Sequence, residues 1–88
     1  MPTVLQILGW RVFFFANEGN EPIHVHCSKA EIRCKFWLDV EDFNVRVEYA
    51  LNATPRDLRE AKKIIYEHFD LIVDAWNEFQ ERRHGKTI

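Results

Sequence analysis

Apolar and polar residues alternate through the first half of the chain and recur at three- and four-residue steps through the second. Alternation is the period of a strand with one buried face, and the longer step is the period of an amphipathic helix. Thr3 to Leu8 accordingly predicts a short strand, and Gly9 allows a turn or bulge after it. Trp10 to Ala16 is apolar on both faces apart from Arg11, the pattern of a central strand. A turn-forming loop from Asn17 to Pro22 follows. Ile23 to Ser28 and Glu31 to Leu38 predict a hairpin. Asp39 to Asp42 is an acidic connection. Asn44 to Leu51 alternates again, with Val45, Val47 and Tyr49 on one face and Asn44, Arg46 and Glu48 on the other.

Thr54 is suited to cap a helix, Pro55 to its first position, and Asp57 completes a Thr-x-x-Asp capping box. Leu58, Ala61, Ile65, Phe69, Ile72, Trp76 and Phe79 form an apolar stripe for the sheet. A straight helix from Pro55 to Arg83 would span about 43 Å, longer than a small sheet, so a break is expected near His68 to Asp70. Gly85 ends the helix, and Lys86 to Ile88 are expected to fray. The expected fold is α+β: an antiparallel sheet of four to five strands followed by one kinked or two C-terminal helices packed on one face. It forms a single domain over 1–88, with a meander in 1–51 and a helical layer in 54–84.

Composition narrows the class. An apolar share of 47%, with seven Phe and three Trp in 88 residues, is that of a folded chain. So small a core suggests that a partner or self-association as a homo-oligomer adds stability. A net charge of -2 and a pI near 6.1 lack the basic signature of a dedicated nucleic-acid binder, although a local basic patch stays open. Cys27 and Cys34 make neither a disulfide scaffold nor a zinc motif. The apolar run from Val4 to Ala16 is interrupted by Gln6, Gly9 and Arg11, which argues against a signal peptide or membrane span. A cytoplasmic protein with reduced thiols, no membrane contact and no cofactor is the expectation.

The chemistry concentrates at Asn17 to Cys27, where an acidic loop runs into a strand with His24 and His26 on one face. A hairpin turning at Lys29-Ala30 would set Ser28 opposite Glu31, His26 opposite Arg33 and His24 opposite Lys35. Cys27 and Cys34 would then lie diagonally, at about 7–8 Å. One face would carry His24, His26, Arg33, Lys35 and Trp37. Two imidazoles can move protons near neutral pH, cations can hold a phosphate, and an indole can stack on a base. Those are the parts of a metal-independent ribonuclease. A metal site is the second reading: His24 and His26 with Glu18, Glu21 or Asp39, against which Arg33 and Lys35 would repel the cation. A merely solvated sheet face is the third. His68 fits a helix break better than catalysis. The mixed charges Arg56, Arg59, Glu60, Lys62 and Lys63 suit a solvated helix face that can also engage RNA or a partner.

Several motifs occur in order: the opening Met-Pro-Thr-Val-Leu, Gly-Trp-Arg-Val-Phe-Phe-Phe, Asn-Glu-Gly-Asn-Glu-Pro, His-Val-His, Lys-Phe-Trp-Leu, and Asp-Ala-Trp-Asn-Glu-Phe at Asp74 to Phe79. With them the chain resembles the small bacterial proteins catalogued as domain of unknown function 4160. The resemblance implies a small antitoxin-like partner in a toxin–antitoxin-type gene pair. It singles out Glu18, Glu21, His24 and His26 as a shared core; Trp37, by its place on the histidine face, joins Glu18 and Glu21 as the expected substrate-binding residues. Two functions follow as expectations: a toxin-like component acting on RNA through His24, His26, Arg33 and Lys35, or a non-catalytic module that binds a partner through its sheet edge or aromatic surface.

Overall fold

The computed structural model describes residues 3–15 and 21–83. Five strands run as an antiparallel meander: β1 (Thr3–Ile7), β2 (Trp10–Phe13), β3 (His24–Lys29), β4 (Ile32–Asp39) and β5 (Asn44–Leu51). Two helices follow, α1 (Pro55–Glu67) and α2 (Phe69–Arg83). The architecture is the expected α+β one. Ala16, Glu18, His84 and Gly85 lie outside the described residues.

Short turns set the strand order. Leu8 and Gly9 both take positive φ, 54° and 84°, between the paired Ile7 and Trp10. That two-residue turn matches the twist of the strands it joins. Ala30 takes φ 53° at the first position of the β3–β4 turn. The turn therefore sits at Ala30-Glu31 rather than Lys29-Ala30, because Lys29 and Ile32 form the closing pair. The expected register is corrected by two residues: His26 opposes Lys35, His24 opposes Trp37 and Ser28 opposes Arg33. A two-residue shift leaves every side chain on its original face. It also sets Cys27 directly opposite Cys34, not diagonal to it.

A second correction concerns β5. Lys35 pairs with Tyr49 but Phe36 pairs with Val47, so Glu48 is an extra residue that bulges the strand. The bulge reverses the alternation. Val45 and Val47 share the face of Phe36 and Leu38, whereas Tyr49 and Leu51 turn to the face of Lys35 and Arg33.

One face of the sheet forms the core with the helices. Trp10, Val12, Phe14, Val25, Cys27, Cys34, Phe36, Leu38 and Val45 are buried there against Ala61, Ile64 and Ile65 of α1 and Phe69, Ile72 and Trp76 of α2. Polar ties fix the helix on the sheet. The Glu60 carboxylate accepts from Trp10 Nε1 at 2.7 Å and from Lys29 Nζ at 3.1 Å. The Tyr66 hydroxyl accepts from the Val45 N–H at 2.8 Å and donates to Asn44 Oδ1 at 3.1 Å.

α1 begins with the complete capping box. Thr54 Oγ1 accepts from the Asp57 N–H at 3.1 Å, and the Asp57 carboxylate accepts from the Thr54 N–H at 2.9 Å. The helix ends at His68, whose backbone leaves the helical region at φ -119° and ψ 26°. His68 Nδ1 lies 2.9 Å from the Ile64 carbonyl; a carbonyl only accepts, so Nδ1 carries the proton. The histidine thus caps the break, and the chain re-enters a helix at Phe69.

Three measurements check this account. Replacing Thr54 by Ala should cost about 1 kcal/mol in urea unfolding, the usual worth of such a cap. The hydrogen bond from the Thr54 N–H holds the Asp57 carboxyl below the usual carboxylate range. Its folded value is then below its unfolded one, so its stabilisation is present above the ordinary carboxylate pKa and is lost as pH falls through the depressed value. Asp57→Asn should therefore flatten the acid decline of the melting temperature. Burial pushes the Cys27 and Cys34 thiols up, and both are free. A thiol reagent at neutral pH should label them at the rate of unfolding; fast labelling of the native protein would contradict the packing.

Candidate functional site

β3 is buried on both sides, which is unusual for a strand in a two-layer fold. Val25 and Cys27 enter the helix-covered core, while His24 and His26 enter an aromatic cluster on the other face. His24 is 0% exposed. Its ring lies 5.3 Å from Trp37, 5.1 Å from Trp76 and 5.3 Å from His26, centroid to centroid. Its Nδ1 donates to the Pro22 carbonyl at 2.9 Å, since a carbonyl only accepts. The Glu21 carboxylate stands 3.6 Å from the same atom. His26 is 6% exposed; it stacks on Phe13 at 5.6 Å and meets the edge of Phe15 at 4.4 Å.

Lys35 closes the cluster from β4. Its Nζ lies 3.0 Å from Glu21 Oε1 and 4.5 Å from the centroid of the Trp37 ring. Trp37 in turn donates from Nε1 to Glu48 Oε1 at 2.5 Å, which is the role of the bulged residue. The structure therefore brings together Glu21, His24, His26, Lys35 and Trp37. It does not bring Arg33, whose guanidinium folds onto the turn and donates to the carbonyls of Ala30 at 2.7 Å and Ile32 at 2.8 Å. Glu18 is outside the described residues. Asp39 is used in the β4–β5 loop, where Oδ1 accepts from the Asp42 N–H at 3.1 Å. Among the described residues no group of three His, Cys, Asp or Glu side chains is placed to hold a metal ion.

The electrostatics of this cluster are balanced. The Lys35 ammonium is matched by Glu21, and the mostly apolar walls around His24 keep solvent from it. Proton transfer needs an imidazole within hydrogen-bond reach of a reacting group. His26 approaches the surface, whereas His24 would require Trp37 or Trp76 to move.

A second surface was not legible from the histidine motif. A cleft of about 470 Å³ is bounded by Pro22, Ile23, Trp37, Val40 and Arg46. Arg46 is exposed and pairs across the sheet with Trp37. The cleft adjoins β5, whose Val47, Tyr49 and Leu51 are 43%, 41% and 56% exposed. β5 ends the sheet, and no strand among the described residues pairs with its outer edge, although the Tyr66 hydroxyl takes the Val45 N–H. The structure, not the sequence, marks this surface: β5 is an eight-residue strand of which only Val45 is buried.

The family model described as Domain of unknown function (DUF4160) matches residues 9–77, and the chain belongs to that family. The matched stretch takes in the histidine cluster, β5 and all of α1. No curated protein and no solved structure matches the chain. No helix among the described residues is long and apolar enough to cross a membrane.

Burial makes the two cluster residues respond differently to truncation. His24→Ala should destabilise the fold by roughly 2–4 kcal/mol, because it leaves a cavity between Trp37 and Trp76 and an unmatched Pro22 carbonyl. Lys35→Ala should cost less than about 1 kcal/mol, since Glu21 is half-exposed and remains hydrated. Urea denaturation of both variants decides it; equal and small effects would contradict the packing role of His24.

Proposed function

We propose that the protein is a binding module that receives an extended segment of a small partner protein along the outer edge of β5. The exposed edge of β5 is the observation that carries this reading. Such an edge offers a row of backbone donors and acceptors, and proteins with no use for one usually blunt it. β5 has no Pro or Lys, and on either side of its single bulge at Glu48 it displays Val47, Tyr49 and Leu51. Strand addition takes its affinity from main-chain hydrogen bonds and its specificity from pockets beside the edge. The cleft between Trp37 and Arg46 is such a pocket, suited to an apolar side chain. In the toxin–antitoxin-type pair that the family resemblance implies, this chain is the component that holds its cognate protein. A cytoplasmic setting belongs to the same reading, and two opposed cysteines kept as thiols accord with it.

A second reading keeps RNA cleavage. It is supported by one imidazole, His26, beside the Lys35 ammonium and the Trp37 ring. It requires the aromatic walls to open so that His24 can reach the substrate.

Co-expression with the product of the adjacent small gene separates the two. Tyr49→Asp/Leu51→Asp should weaken the complex by at least about tenfold, or about 1.4 kcal/mol, while His26→Gln leaves it intact. Soluble protein expressed alone should leave cellular RNA whole. RNA cleavage that disappears in His26→Gln at equal solubility would sink the binding-module reading and establish the ribonuclease.

A further inference from the structure

The exposed side of the helical layer is basic along the first turns of α1 and acidic beyond them. The carboxylates in the first turns of α1 are engaged locally: Asp57 closes the capping box and Glu60 is held by Trp10 and Lys29. Arg56, Arg59 and Lys63 are left exposed, with no ion-pair partner among the described residues. Past the middle of the helical layer the sign changes. Glu67, Asp70 and Asp74 are exposed and equally without a cation, whereas Glu78 is held by Arg82 at 2.5 Å.

The spacing of the two sets is complementary. The cations stand at steps of three and then four residues, and the carboxylates, read backwards from Asp74, stand at steps of four and then three. Such steps keep the cations on one side of α1, with Glu67 on that side at its end, and Asp70 and Asp74 on one side of α2 past the break at His68. Antiparallel docking of two such layers brings the basic stretch Arg56 to Lys63 of one copy against the acidic stretch Glu67 to Asp74 of the other. A two-fold axis repeats this contact, because an isologous interface uses the same patch on both copies.

An apolar patch lies beside the helix break. Phe43 is 55% exposed and Leu71 is 51% exposed, on either side of the helix break. Both line a cleft of about 260 Å³ together with Tyr66 and Phe69. The Phe43 ring lies 5.3 Å from that of Tyr66 and 4.7 Å from that of Phe69. An apolar centre with a charged rim is the usual anatomy of a protein interface. Nucleic acid fits this surface less well, since the acidic half adjoins the basic one and the chain is net negative.

We infer that the helical layer is a self-association surface, on which a second copy of this chain docks antiparallel with its acidic half against the basic half of the first. The dimer uses no residue of β5, so each copy keeps its outer strand for a partner.

Sedimentation of the full chain tests this. Wild type should be dimeric at about 0.01 M salt and monomeric at about 1 M, where the screening length falls from about 30 Å to about 3 Å. Arg59→Glu/Lys63→Glu should be monomeric, and so should Glu67→Lys/Asp70→Lys, each with the wild-type circular dichroism spectrum. An equimolar mixture of the two variants should be dimeric, because each reversed face then meets its complement. That restoration cannot come from variants that fail to fold. A wild type that is monomeric at low salt overturns the inference. So does a dimer that survives in both variants, a mixture that stays monomeric, or a monomer that retards a single-stranded RNA probe and loses this ability in Arg59→Glu/Lys63→Glu.

Discussion

His24 to Lys29 run antiparallel to Trp37 to Ile32, and each successive pair sends its side chains to opposite faces of the sheet. The molecule depends on this alternation. Val25 with Phe36 and Cys27 with Cys34 close the helix-covered core; His24 with Trp37 and His26 with Lys35 close the aromatic cluster. A slip of one residue would drive two imidazoles into an apolar core without partners and expose Phe36, at a cost of several kcal/mol. Both faces therefore enforce the same parity. The tight turn at Ala30-Glu31 then selects one register among those that share it.

The helices complete what the hairpin begins. α1 covers one face, held at either side by Glu60 and Tyr66. The break at His68 lets α2 carry Trp76 to both Phe14 and His24. His24 thereby becomes a packing element. With one nitrogen tied to Pro22, the ring fits between two indoles. The Glu21 carboxylate, 3.6 Å from that nitrogen, also holds Lys35.

Much of the fold was legible in the sequence, for local reasons. Strand periods, the Thr54 cap and the break at His68 each rest on residues a few positions apart. The facing of His24, His26, Lys35 and Trp37 was legible because side-chain parity survives a shift of two residues. The register itself was not, since parity carries no information about it and the turn lacks Gly or Asn. Arg33 was placed with the histidines on the same ground, whereas its pairing with Ser28 sets it nearer the turn. The bulge was hidden because Val45, Val47 and Tyr49 alternate convincingly, and only the pairing with β4 shows that Tyr49 has changed sides. The burial of His24 depends on Trp76, which arrives from the far end of the chain.

Cross-strand nuclear Overhauser effects in the β3–β4 hairpin test the central claim most directly. The account predicts contacts between the backbone protons of His26 and Lys35 and of His24 and Trp37, because antiparallel neighbours lie within about 4.5–5.5 Å. Contacts from His26 to Arg33 and from His24 to Lys35 in their place would contradict it. The aromatic cluster, the opposed cysteines and the isolation of Arg33 would then all have to be abandoned.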